Sequence, residues 1–269
     1  MKQKLIFTLI FFIYININAQ NTNLIKYKFT YQLTYQPDST DVDSKKSEEM
    51  LLFTNNNISI FQSKNEFLKD SMIIDLEKNS VKEIKTLDIS KFPKTKFHYK
   101  ILKEKSKDSI TIYDKIYTDN FLYKESKGNI KWKIKNDTLT INGFKCQKAT
   151  TFYAGRNYEA WFSNTIPISD GPYKFRGLPG LVIKVLDSKK HYVFELIRRS
   201  NINLLYPDLK PKKNLYITNK VIFFKKLNDF KSNIFERVSQ SGFTLDEEYK
   251  QVVKAKLKKR NNHIELNIK

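Results

Sequence analysis

Alternation of large apolar and polar residues is the commonest pattern along this chain, and it predicts β-strands. The longest example covers residues 26–36, where successive side chains would point to opposite faces of one strand. The residues of its apolar face are Tyr27, Phe29, Tyr31, Leu33 and Tyr35. Pro37 ends the run and opens an acidic, serine-rich loop over residues 37–48. The pattern therefore predicts a long strand with one buried face.

Shorter alternating runs, separated by turn residues, predict a series of hairpins. Three asparagines at 55–57 separate two such runs, and Asn142-Gly143 separates another two. Because both residues of Asn-Gly readily adopt a positive φ, that pair favours a type I′ turn. The predicted strands are 50–54, 58–62, 72–76, 81–87, 98–104, 110–117, 122–126, 130–134, 138–141, 144–153, 158–163, 181–186 and 191–197, with a loop or short helical turn at 63–70. Successive hairpins imply an antiparallel meander.

The spacing of apolar residues changes from alternation to helical periodicity after Thr218, and this helical spacing continues up to Gly242. Thr244-Leu245-Asp246-Glu247 then has the form of a capping box and predicts a second helix, running to about Arg260. That helix is rich in lysine, which suits either a solvated face or contact with a membrane surface or a partner. The predicted fold class is mainly β: one curved, half-barrel-like antiparallel sheet with two C-terminal α-helices. Its similarity to LolA-like lipoprotein carriers is a fold-level analogy.

The first nineteen residues have the pattern of a secretory signal peptide. Two lysines near Met1 precede an apolar run from Leu5 to Ile15, and Ala19 provides a small residue for cleavage. The run is shorter than the ~20 residues that a membrane-spanning helix needs. We therefore expect cleavage after Ala19, a single β-rich domain over residues 20–269, and a location in the periplasm or outside the cell, without integral membrane segments.

The formal net charge of +21 raises the question of nucleic-acid binding. Only six of the 49 cationic residues are arginine, and the lysines are spread along the whole chain. Because bidentate recognition of phosphates and bases favours arginine, this composition argues against a nucleic-acid partner. It favours contact with an anionic surface of the envelope, such as a membrane or polysaccharide.

Motifs of the common enzyme classes are absent from the sequence. It contains neither a nucleophile elbow, a zinc-protease helix motif, a phosphate-binding loop nor a dinucleotide fingerprint. His191 and Glu195 share a strand face but would lie about 13 Å apart by strand rise. Cys146, the only cysteine, is predicted to be a small core residue. The sequence thus predicts no catalytic residue, metal site or cofactor.

The segment Gly177–Val182 reads GLPGLV and resembles the signature of the GLPGLI family. Asn142-Gly143, Ala160-Trp161-Phe162, Gly171-Pro172 and residues 261–266 are also similar to that family, whose usual isoleucine is replaced by Val182 here. The resemblance implies a secreted protein of Bacteroidetes-type envelopes with no established activity. Such proteins are often encoded near TonB-dependent outer-membrane transporters, which implies an accessory role in uptake.

The same segment has two interpretations from its residues alone. Leu178-Pro179-Gly180-Leu181 suits a type II turn, since proline fixes φ at the second position and glycine supplies a positive φ at the third. Alternatively, loop 164–180 forms the rim of a cavity and presents side chains to a ligand. The candidate ligand-binding residues are Trp161, Gly171, Pro172, Tyr173, Phe175, Arg176, Gly177, Leu178, Pro179 and Gly180.

Three functions remain open from the sequence. The leading hypothesis is a non-catalytic envelope protein that binds an apolar or amphipathic ligand in the sheet's concavity, or assists an outer-membrane transporter. It predicts an aromatic-lined pocket larger than ~300 Å³. A secreted hydrolase or peptidase would instead show a carboxylate within hydrogen-bond reach of His98 or His191 in a cleft. A structural partner of an outer-membrane complex would show an exposed apolar patch and no cavity.

Overall fold

The computed structural model describes residues 24–55, 57–79, 88–206, 209, 214–240, 242 and 244–267. The predicted signal peptide and the strand predicted over residues 81–87 lie outside these ranges.

The described chain forms one sheet of twelve strands that does not close into a barrel. The strands are β1 (Leu24–Tyr35), β2 (Lys46–Thr54), β3 (Ile58–Ser63), β4 (Lys100–Glu104), β5 (Ser109–Ile116), β6 (Asp119–Ser126), β7 (Lys133–Ile141), β8 (Phe144–Tyr153), β9 (Arg156–Ser163), β10 (Leu181–Asp187), β11 (Tyr192–Leu205) and β12 (Leu215–Ile217). Their order is β12-β6-β5-β4-β3-β2-β1-β11-β10-β9-β8-β7. The predicted mainly β class with one curved sheet is confirmed, although β12 pairs with β6 in parallel rather than antiparallel register.

Strand β1 lies in the middle of the sheet, between β2 and β11. Its alternating pattern has the predicted effect, because Phe29, Tyr31, Leu33 and Tyr35 are all buried in the main core. Tyr31 also donates a hydrogen bond from its hydroxyl to the carbonyl oxygen of Val182 on β10, at 2.7 Å. The central strand thus holds neighbouring strands through both its backbone and its buried face.

The predicted hairpins around Asn142-Gly143 and around residues 187–190 are confirmed by the pairing of β7 with β8 and of β10 with β11. Asn142 and Gly143 have φ values of 49° and 81°, as a type I′ turn requires. The β2–β3 hairpin across residues 55–57 is confirmed as well, and the side-chain oxygen of Asn55 accepts the backbone N–H of Ile58 at 2.8 Å.

Within the described ranges, four α-helices accompany the sheet: α1 (Lys64–Asn79), α2 (Lys220–Ser232), α3 (Ile234–Gln240) and α4 (Glu247–Lys258). The strand predicted over residues 72–76 is wrong, because this segment belongs to α1. The hydroxyl of Ser63 accepts the N–H of Asn65 at 3.0 Å and so supports the first turn of the helix. Phe67 anchors α1 by packing on Phe53, with ring centroids 5.0 Å apart. Five alternating residues are too few to distinguish a strand from part of a helix.

The two C-terminal helices of the sequence analysis become three. The first ends at Ser232 and is capped by Asn233, so α2 and α3 replace one long helix. The N-cap of α4 is Asp246 rather than Thr244, and its carboxylate accepts the N–H of Tyr249 at 2.6 Å. Phe223 of α2 is buried in the main core and fixes the helix against β5 and β6.

The loop between β9 and β10 packs inward and fills part of the core. Phe175 and Leu178 are buried, and Phe175 contacts Tyr158 with ring centroids 4.7 Å apart. The turn at Pro179 is tighter than the predicted type II turn, because the N–H of Gly180 donates to the carbonyl of Leu178 at 2.8 Å. Gly180 has a φ of 155°, and a Cβ on it would lie 2.3 Å from the carbonyl oxygen of Ser163. The GLPGLV segment therefore requires glycine for close backbone contact.

Candidate ligand-binding site

A half-open cleft of about 770 Å³ lies between one margin of the sheet and the C-terminal helices. On the sheet side, its walls come from the end of β1, the loop after it, the starts of β2 and β11, the segment before β4, and strand β5. On the other side they come from α2 and from the end of α4 with the residues that follow it. The lining residues are Tyr35, Pro37, Asp38, Asp41, Ser44, Lys46, Lys96, Phe97, His98, Tyr99, Asp114, Lys115, Tyr192, Phe223, Leu227, Lys231, Lys256, Lys259, Arg260, Asn262 and His263.

One part of this lining, which we call the aromatic floor, consists of Tyr35, Phe97, Tyr99 and Tyr192. The four rings form a row in which each contacts the next. The ring centroid of Tyr35 lies 6.4 Å from that of Tyr192 and 4.9 Å from that of Phe97. The centroids of Phe97 and Tyr99 are 5.9 Å apart. The hydroxyl of Tyr99 is buried and has no hydrogen-bond partner among the described residues. A buried polar group without a partner costs about 1–3 kcal/mol, a cost that the fold carries beside the cleft.

The second part, which we call the basic rim, contains six cations that form no ion pair with any described residue. They are Lys46, Lys96, Lys231, Lys256, Lys259 and Arg260. Desolvation, followed by the positive charges of Arg260 and Lys46, lowers the pKa of Lys96. Desolvation and the charge of Arg260 also lower the pKa of Lys231. Both effects show that the cations of the rim lie close enough to repel one another.

Asp114 and His98 line the cleft, and His98 contacts the buried carboxylate of Glu66. Desolvation is the main cause that raises the pKa of Asp114 from 3.8 to about 6. Nδ1 of His98 lies 3.0 Å from a carboxylate oxygen of Glu66, whose other oxygen pairs with Lys115 at 3.1 Å. Desolvation would raise the pKa of Glu66, but His98 and its lysine partners hold that pKa well below the ordinary value. Glu66 thus stays ionised, its charge is compensated by its lysine partners, and its carboxylate holds His98 in place.

The residues after α4 reach the cleft because the sheet binds their backbone. Arg156 donates to the carbonyl oxygens of His263 at 2.5 Å and Ile264 at 3.1 Å, and it pairs with Asp187 at 3.1 Å. The hydroxyl of Tyr192 donates to the carbonyl of Asn262 at 2.6 Å. This binding holds the end of α4, and with it Arg260, at the cleft mouth.

A cluster of buried ion pairs around Glu265 also holds the residues that follow α4. Glu265 is buried and pairs with Lys174 at 2.6 Å and with Lys220 of α2 at 2.5 Å. Desolvation would raise the pKa of Glu265, but the two lysines lower it to about 2. The cluster connects the β9–β10 loop, α2 and the terminal segment, and it lies behind the cleft rather than in it.

Comparison with known proteins gives a family match over a short segment. Residues 153–184 match a protein family of unknown function, Porph_ging. The matched segment contains β9, the β9–β10 loop and the GLPGLV sequence. No curated protein matches the chain significantly.

Solved structures of PNGF-II, in space groups P21 and C2, are similar to this chain. Each has a TM-score of 0.53, with 14% and 15% sequence identity, and each similarity covers 77% of this chain. The chain spans about a third of the length of PNGF-II, 34% in one crystal form and 33% in the other. At this identity the similarity concerns the fold alone.

The ten residues that the sequence predicts as ligand-binding do not line the cleft. Gly171, Pro172, Tyr173, Phe175, Leu178 and Gly180 are buried in the protein, while Trp161 and Arg176 are half-buried and Gly177 and Pro179 are exposed. One link exists, since Tyr173 packs against Tyr99 of the aromatic floor with centroids 5.5 Å apart. Direct ligand contact by these residues stays a prediction. Cys146 lies in the core as predicted, with 3% of its surface exposed.

Two further observations concern the described residues only. No group of three or more histidine, cysteine, aspartate or glutamate side chains is arranged to hold a metal ion within the described ranges. Among the helices of the described chain, none combines the length and the apolar character needed to cross a bilayer.

Proposed function

We propose that this protein binds an amphipathic anion in the cleft, as a non-catalytic protein of the cell envelope. The apolar part of the ligand lies on the aromatic floor, and its anionic group contacts the basic rim. The single observation that carries the proposal is the set of six cations without ion-pair partners, among the described residues, around an aromatic-lined cleft. Exported location and membership of the GLPGLI family belong to the same proposal, and the sequence features above support them.

The energies favour such a ligand over a neutral one. A charge pair 4 Å apart contributes about 1 kcal/mol in water and about 4 kcal/mol near a protein surface. Bringing an anion between Lys96, Lys231 and Arg260 also relieves their mutual repulsion. Burial of an acyl or aryl group on the floor contributes roughly 0.8 kcal/mol per CH₂.

Calorimetric titration with dodecyl phosphate, and with dodecyltrimethylammonium as the opposite charge, tests the proposal. We expect the phosphate to bind and the ammonium compound to bind at least about tenfold more weakly, since only one sign of charge matches the rim. The double variant Lys96→Glu/Arg260→Glu should weaken phosphate binding by about tenfold or more, because two attractions become repulsions.

The matched control is Lys133→Glu/Lys135→Glu. Both lysines are exposed on β7, at the opposite end of the sheet from β6, and the net charge changes by the same amount. Equal loss of affinity in both variants would contradict specific binding at the rim. It would mean that the overall charge of the protein alone attracts the ligand. Equal affinity for the two surfactants would overturn the proposal.

A hydrolase is the second candidate function, and the contact between His98 and Glu66 favours it. His98 and Asp114 line the same cleft, with Glu66 buried behind His98, and a carboxyl group with a pKa of about 6 can act as a general acid near neutral pH. Chromogenic esters and peptide anilides test it. Turnover that is lost in both His98→Ala and Asp114→Asn supports the hydrolase, and absence of turnover by the unmodified protein rejects it for these substrates. The presence of a cleft argues against a purely structural partner.

A further inference from the structure

Helix α4 carries an amphipathic stripe that the described part of the chain does not cover. No residue of this helix is buried. Tyr249 and Val252 are 52% and 42% exposed, so the helix presents two large apolar side chains to solvent. They continue along the helix surface to Lys256 and Lys259 at positions i+7 and i+10, which is one face of an α-helix. We call these four residues the α4 stripe.

The α4 stripe runs from solvent to the mouth of the cleft. Lys256 and Lys259 belong both to the stripe and to the basic rim. The C-terminal half of the helix is also basic beside the stripe, because Lys254 lies over the ring of Phe235 at 5.7 Å and Lys258 is exposed. The first turn carries Glu247 and Glu248, and Glu247 pairs with Lys250 at 2.6 Å. A helix with apolar side chains, adjacent lysines and an open cleft beside it matches an anionic surface with an apolar interior.

From these features we propose that α4 docks the protein on an anionic lipid bilayer, with the cleft mouth facing the lipids. Tyr249 and Val252 enter the interface between headgroups and acyl chains, while the lysines contact the anionic headgroups. The inference rests on the proposed function and deepens it. The amphipathic anion that the cleft binds is then a lipid taken from the bilayer, so its acidic headgroup meets the rim and an acyl chain meets the aromatic floor.

Vesicle sedimentation with the full chain tests this inference. Vesicles of phosphatidylcholine are compared with vesicles that also contain phosphatidylglycerol. We expect binding to the anionic vesicles only, and a loss of about tenfold or more at high salt, because exposed charges are screened. The variant Tyr249→Glu/Val252→Glu should reduce vesicle binding by about tenfold or more, since charge at the apolar part of the stripe opposes insertion.

The control variant is Ile134→Glu/Leu139→Glu on β7, which adds the same charge at side chains that are 49% and 51% exposed. It should bind vesicles within about twofold of the unmodified protein, because distant sites act independently. Circular dichroism and thermal melting confirm that both variants fold. Equal losses in the two variants, or equal binding to both vesicle types, would overturn the docking inference.

Titration of the same variants with dodecyl phosphate separates the two proposals. The α4 variant should retain its affinity for the soluble ligand within about twofold, because Tyr249 and Val252 do not line the cleft. Ligand binding without selective vesicle binding would reject docking and leave the cleft function standing. Vesicle binding without ligand binding would reject the cleft function, and with it the transfer of lipid.

Discussion

Replacement of Asp114 by asparagine tests the electrostatics of the cleft. The carboxyl group lines the cleft, and one of its oxygens accepts the N–H of Lys115 at 2.8 Å. Asparagine has nearly the same shape and keeps an oxygen that can accept this bond. The substitution therefore removes the charge while leaving the geometry of the site in place.

The expected magnitude follows from the difference in pKa between the folded and unfolded chain. In the folded protein, desolvation raises the pKa of Asp114 from 3.8 to about 6. The folded state thus binds the proton more tightly, and it loses stability relative to the unfolded state as the pH rises from about 4 to about 6. A pKa difference of about 2 corresponds to about 3 kcal/mol. Partial exposure of the group reduces this to about 1–3 kcal/mol.

Urea denaturation of both proteins between a pH of about 3 and about 7 is the assay. At a pH of about 3 the two free energies of unfolding should be nearly equal, since Asp114 is then largely neutral in both states. Above a pH of about 6.5, Asp114→Asn should be more stable by about 1–3 kcal/mol. The same variant should bind dodecyl phosphate more tightly at neutral pH, because a negative charge has left the cleft. A variant that is less stable at neutral pH, or a stability difference independent of pH, would refute the reasoning.

Two further changes probe the fold around the cleft. Glu265→Gln should lower the free energy of unfolding by about 3–5 kcal/mol at neutral pH, because its two buried lysine partners are left to share the single carboxylate of Glu125. Since the folded-state pKa of Glu265 lies near 2 against an ordinary 4.5, urea denaturation should show that this deficit shrinks as the pH falls below about 4.5. Gly180→Ala should cost about 3–5 kcal/mol, since its Cβ would lie 2.3 Å from the Ser163 carbonyl oxygen. Gly177→Ala is the matched control: φ is 91°, no atom lies within 4 Å of the added Cβ, and we expect a cost of about 1–2 kcal/mol. Equal costs for the two glycines, or a Glu265→Gln deficit independent of pH, would contradict these assignments.

Features that depend on neighbouring residues could be predicted from the sequence. The alternation in β1 and the Asn142-Gly143 turn each act within a few residues, so their outcome does not depend on the rest of the fold. The strand predicted over residues 72–76 failed because such a short run also fits a helix, and the contact of Phe67 with Phe53 decided between them. Tertiary packing of this kind has no signal in a single sequence.

The candidate site was less accessible to prediction for the same reason. Tyr35, Lys96, Asp114, Tyr192 and Arg260 come from separate parts of the chain, and no spacing connects them. The two signals that the sequence did contain were its excess of lysine and the predicted basic C-terminal helix. Both pointed to an anionic surface, but neither located the cleft. The GLPGLV segment drew attention to the β9–β10 loop, where the structure shows mostly buried packing.

The place of β1 in the sheet has a consequence for how the protein folds. One neighbour, β2, follows it directly, whereas the other, β11, comes much later in the chain. Most hairpins on either side of β1 join strands that are adjacent in the chain, so they can form early. The pairing of β1 with β11 needs the closure of the largest loop and therefore forms late. The pairing of β1 with β11 at the centre of the sheet is thus the last step of folding. A chain that stops short of residues 192–205 has two separate half-sheets, and their open edges promote aggregation.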